Sequence, residues 1–187
     1  MNTIGKFSAL SLLCVQAAAC ATSSVTQAPA ADPEAPVKRY LAFYFDDYGR
    51  GLPGESQLPK LASFVTPELL GQFEAAIRGE ECYAKKSNYE GPPYIEGDLF
   101  SSLFEGGTSA TYRQISVNVD KSIFEIEWIN DDKNLSPDAT VWQDRVFLVR
   151  TTSGWLIADF AHDGDWDFMK DGSVSEILQV VAEECAD

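Results

Sequence analysis

The sequence is short of the residues that carry most metal and acid–base chemistry, with one histidine, His162, four cysteines and two methionines. A lone histidine and the lack of any Cys-x-x-Cys pair rule out a His/Cys zinc site. No Gly-rich phosphate loop, HExxH or GxSxG segment occurs, so the phosphate-cradling, zincin and nucleophile-elbow classes fall away, and no cofactor is called for. No apolar run is long enough to cross a bilayer as a stable helix. Basic residues are few: 14 Lys and Arg stand against 29 Asp and Glu, a net charge of −15. That excess repels phosphate backbones and anionic headgroups, so nucleic acid is excluded as a partner, while solubility and cationic partners are favoured. No internal repeat is visible.

A packed interior is well supplied. Hydrophobic residues make up 45 % of the 187, with four Trp and eleven Phe, enough for one domain with a proper core. The first nineteen residues read as a signal peptide (1–19): Lys6, an apolar stretch through Leu10, Leu12, Leu13 and Val15, then Ala17, Ala18 and Ala19. Cys20 follows directly, in a setting that resembles the lipobox of bacterial lipoproteins, although Ala17 stands where Leu is usual. Residues 20–36, rich in Ala, Pro, Ser and Thr, then form a flexible tether from an acylated Cys20 to a domain spanning 37–187. The expected address is the cell envelope, facing the periplasm, through an acyl anchor in the membrane. This is the outer membrane if the cell has one, and the alternative is ordinary cleavage and a secreted soluble protein. With Cys14 in the leader and Cys20 at the anchor, Cys82 and Cys185 remain and are expected to form a disulfide.

Within the domain, Val37, Tyr40, Leu41, Tyr44, Phe45 and Tyr48 recur at helical spacing and predict a helix over 36–48. A helical turn is expected over 59–65, with Leu61 and Phe64 inward. Thr66-Pro67-Glu68 supplies a cap, a first-turn proline and an acid for a long helix reaching towards Lys86. Residues 87–107 read as a loop around the apolar piece 99–104. Ile115, Val117 and Val119 alternate with polar residues, as do Phe124, Ile126 and Trp128, which predicts a hairpin. A strand over 140–151, with Val146-Phe147-Leu148-Val149 buried on both faces, and a strand over 155–160 complete an antiparallel meander. Ser173 and Glu176 form a capping box for a last helix running to Cys185. The fold class read from this order is α+β.

Helices followed by a meander whose last hairpin carries Val146, Leu148, Val149, Gly154, Trp155, Ile157 and Asp159 resemble the nuclear transport factor 2-like superfamily. Thr66-Pro67-Glu68-Leu69-Leu70 and Gly97-Asp98-Leu99-Phe100 resemble, within it, an uncharacterised family of bacterial lipoproteins. The resemblance implies N-terminal helices packed on a strongly curved, cone-shaped four-stranded sheet, plus a C-terminal helix. The cone would be lined by Tyr44, Tyr48, Phe100, Trp128, Trp142 and Phe160.

Function is less legible, because this fold hosts enzymes, binding modules and scaffolds alike. The leading expectation is a non-enzymatic module that binds a small apolar ligand or a basic protein. Alternatives are a small-molecule isomerase or dehydratase using Asp159 with Tyr44 and Tyr48, and an inhibitor or immunity protein against a basic envelope enzyme. His162, at a strand end among aspartates, is expected to be solvated and ion-paired. Asp163, Asp165 and Asp167 at alternate positions are a weak calcium candidate, because Phe168 and Val174 stand where an EF-hand needs Gly and Glu.

Overall fold

The computed structural model describes residues 32–166 and 172–184. Helix α1 (Glu34–Asp46) buries Val37, Tyr40, Phe43 and Tyr44 along one face. It ends two residues before the apolar spacing does, because the N–H groups of Asp47 and Tyr48 both return to the carbonyl of Phe43 and close it. A 3-10 turn (Glu55–Gln57) and the single turn α2 (Leu58–Leu61) follow, with Leu61 and Phe64 inward as expected.

Helix α3 (Pro67–Lys86) begins as its sequence dictates. Thr66 Oγ1 accepts the Leu69 N–H at 3.2 Å, Pro67 occupies a position with no donor to lose, and Glu68 meets the positive end of the helix. Its inner face carries Leu69, Phe73, Ala76 and Gly79. A Cβ at Gly79 would stand 2.1 Å from the carbonyl oxygen of Val181, so the last helix crosses α3 at backbone contact. That helix, α4 (Val174–Glu183), starts on the expected box: Ser173 Oγ accepts the Glu176 N–H, and the Ser173 N–H donates to Glu176 Oε2 at 2.9 Å. Its expected continuation to Cys185 lies outside the described residues.

Strands β1 (Ser109–Val117), β2 (Lys121–Asn130), β3 (Thr140–Thr151) and β4 (Gly154–Ala161) pair antiparallel in the order β1-β2-β3-β4, so the fold is α+β with a four-stranded meander. Phe124, Ile126, Trp128, Trp142, Val146, Leu148, Trp155, Ile157 and Phe160 line the core face and share one apolar cluster with the inner faces of α1, α3 and α4.

The β1–β2 hairpin forms as expected, and one expectation about the sheet is corrected. Ile115, Val117 and Val119 are 43 %, 57 % and 74 % exposed; their alternation does not mark a buried face. The β1 residues opposite the buried Trp128, Ile126 and Phe124 are Ala110, Tyr112 and Gln114, and a bulge between Gln114 and Ser116 then breaks the period. The run 146–149 is not buried on both faces either. Val146 and Leu148 are in the core, whereas Phe147 and Val149 are half-buried on the outer face, because an antiparallel sheet needs only one face covered.

The sheet's two edges also differ. Along β4, Ile157 bonds to both Phe64 and Thr66 through backbone groups, and Ala161 bridges to Ser173. Along β1 no strand is paired among the described residues.

Candidate functional site

The interior groups suited to chemistry are held by the loop between α3 and β1. Gly97 and Gly106, both at φ +73°, turn this loop inward, where a Cβ at either would strike Phe104 or Asp98. Asp98 lands under α1: its Oδ2 accepts the Tyr44 hydroxyl at 2.6 Å and its Oδ1 the Phe100 N–H at 2.7 Å. The Tyr44 oxygen accepts the Gly107 N–H at 2.9 Å, and the Tyr48 hydroxyl accepts from Leu99 and donates to the Gly51 carbonyl, both at 2.8 Å. Burial first, and the Asp98 carboxylate second, hold both phenols well above their ordinary value. Tyr40, fully buried one helical turn earlier, is raised chiefly by burial. Tyr40 Oη and Trp128 Nε1 have no hydrogen-bond partner among the described residues.

A second buried carboxylate, Asp144 on β3, pins the same loop and the chain beyond β4. It accepts the Ser102 N–H at 3.0 Å, the Ser102 hydroxyl, Trp142 Nε1 at 3.1 Å and the Asp163 N–H at 2.9 Å. His162 is corrected here: it is buried rather than solvated, with Nε2 3.0 Å from the Leu99 carbonyl. A general base must reach a substrate proton. Asp98 and Asp144 are instead turned to protein donors and fix a loop.

The six aromatics expected to line a cone are brought together, ring against ring. Centroid separations are 5.7 Å for Tyr44–Tyr48, 4.9 Å for Tyr48–Phe100 and 5.1 Å for Phe100–Phe160. They are 4.6 Å for Tyr44–Trp128 and 6.3 Å for Trp128–Trp142. Asp159 is not joined to Tyr44 and Tyr48. It accepts the Ser175 hydroxyl at 2.5 Å and the Ser175 N–H at 3.1 Å, anchoring the start of α4.

Of the calcium candidates, Asp163 is gripped by Arg145 at 2.6 and 2.7 Å and Asp167 lies outside the described residues. No group of three His, Cys, Asp or Glu side chains is placed for a metal among the described residues. Cys82 lies on α3, while Cys185 and Cys20 lie outside the described residues.

The outer face holds what the sequence reading missed. A groove of about 390 Å³ opens there, with Ile123, Phe147, Val149 and Ala158 as its apolar wall and Ser116, Asn118 and Lys121 at its rim. Two bulges frame it, at Ile115 in β1 and Ala158 in β4. The first reverses the facing of β1, so that Ser116 stands opposite the outward Ile123. The available signal was the run 146–149: four apolar residues in an antiparallel strand place two on the outer face, which this sheet leaves half-exposed.

No known protein family, curated protein or solved structure matches the chain.

Proposed function

We propose that this protein is an envelope-anchored lipoprotein whose single α+β domain is a non-enzymatic binding module working from the outer face of its sheet. The observation that carries the binding reading is the apolar groove with a cationic rim on the face turned away from the core. Against catalysis from within stands the use already made of the interior polar groups: Tyr44, Tyr48, Asp98, Asp144, Asp159 and His162 each bond to the protein's own loops and helix ends. The anchor rests on Cys20 behind three alanines and ahead of a tether that has nothing to bury.

The domain is stapled by a Cys82–Cys185 disulfide. Gly79, one turn before Cys82, touches Val181 and Ala182, and Lys86 Nζ donates to the Glu184 carbonyl, so α4 ends alongside the turn that carries Cys82. Unreduced, unfolded mature protein should show no free thiol; a count of two removes the bridge.

Mass spectrometry of the mature protein tests the anchor. It should give an N-terminal Cys20 carrying diacylglyceryl and acyl groups, with the protein in the membrane fraction and Cys20→Ala in the soluble one. A mature N-terminus without lipid overturns it.

A further inference from the structure

We propose that the outer groove binds a small amphipathic anion, a carboxylate on a short aliphatic or aryl tail. This deepens the binding-module reading and rests on it, but not on the membrane anchor.

The hydrogen-bonding inventory of the groove selects the head group. Asn118 Oδ1 is consumed by the N–H groups of Asp120 and Lys121 at 3.0 and 2.8 Å, so its side chain has only its amide NH₂ to offer. Ser122 Oγ accepts from Gln114 and donates to the Ser116 carbonyl, which closes its account. The Ser116 hydroxyl and the Lys121 ammonium have no hydrogen bond or ion pair among the described residues. Every polar side-chain group left free at the rim can therefore donate, the Ser116 hydroxyl alone among them can also accept, and one of the donors is charged. A bound carboxylate gains bonds in which donor and acceptor are both charged, whereas a cation meets repulsion and a neutral alcohol accepts from the same donors without the ion pair.

The wall selects the tail. Ile123, Phe147, Val149 and Ala158 present aliphatic and ring surface, and about 390 Å³ lies in the range of small-ligand sites. The register holds head and tail together: Lys121 stands opposite Val149, Ile123 opposite Phe147 and Ser116 opposite Ile123, so donors and wall are neighbours on adjacent strands. In a chain of net charge −15, long-range attraction cannot gather anions, so recognition has to come from these local donors.

The test is calorimetric titration of the purified protein with sodium decanoate, sodium 4-phenylbutyrate, decan-1-ol and decyltrimethylammonium. At least one carboxylate should bind saturably with one site, about tenfold or more tighter than the alcohol or the ammonium; which carboxylate is preferred separates aliphatic from aryl tails. Lys121→Met should weaken that binding about tenfold. Ala158→Phe, which fills the groove, and Val149→Glu, which sets a like charge beside the head group, should each abolish it with the circular dichroism spectrum unchanged. Equal binding of alcohol and carboxylate, indifference to Lys121→Met, or no saturable carboxylate binding overturns the proposal. Carboxylate binding by a protein with unlipidated Cys20 would remove the anchor and keep the groove; a lipidated protein that binds none of the four probes would do the reverse.

Discussion

On the core face of the sheet, Asp144 meets four donors supplied by Ser102, Trp142 and Asp163, whereas on the outer face of the neighbouring strand the Lys121 ammonium meets no partner among the described residues. Both belong to one meander, and the strands alternate the same way on either side. The difference lies in what each face must do. Inside, an unpaired polar group costs the fold directly, so the carboxylates are saturated and bind a loop to the sheet. Outside, an unpaired donor costs nothing in water and stays free for something else.

That contrast can be broken most forcefully at Asp144. Asp144→Ala leaves four donors facing a small cavity and should cost about 3–5 kcal/mol, read as a lowered urea midpoint; a loss under about 1 kcal/mol would erase the distinction between the faces. The second effect comes from alkali. Tyr40, Tyr44 and Tyr48 have folded-state pKa values raised above the ordinary 10.0. Their contribution is therefore whole below pH 10 and is lost above it, as the unfolded phenols ionise and the folded ones do not. Three such groups steepen the decline to about 4 kcal/mol per pH unit at most. Urea midpoints between pH 8 and 11 measure the slope, and these three phenols should enter the ultraviolet phenolate signal only on unfolding.

Ser173→Ala, at the cap of α4, should cost about 1 kcal/mol in the same urea assay. The smallest effect is expected on the outer face. Val141 is 56 % exposed there, and Val141→Ser should change stability by less than about 0.5 kcal/mol.

The helix boundaries were legible because local chemistry sets them: Thr66-Pro67 opens α3 and Ser173 with Glu176 opens α4 wherever those segments pack. The meander was legible from the period of β2 and from Ser153-Gly154 between β3 and β4. The bulges were not. An extra residue such as Ile115 leaves no mark of its own, yet it reverses the side chains after it, turning Ser116 outward opposite Ile123 and setting Val117 opposite the buried Ser122, so the facing of β1 cannot be carried along the strand from its alternation. Asp98 and Ser102 were hidden for another reason. A buried polar residue in a loop is justified only by partners distant in the chain, here Tyr44 and Asp144. His162 was misread on the same ground, since its neighbours in sequence are acidic while its neighbour in space is the Leu99 carbonyl.

The pairing of Ile157 with Phe64 and Thr66, and of Ala161 with Ser173, limits what the sheet can become. A filament built by adding strands needs every unit to offer two free borders, one to receive and one to extend. With β4 paired at Ile157 and Ala161, β1 is the border left unpaired among the described residues, so growth of that kind halts at a pair of molecules. The covered side thus acts as a terminator, and the β1 border, unpaired among the described residues, is a hazard of bounded size.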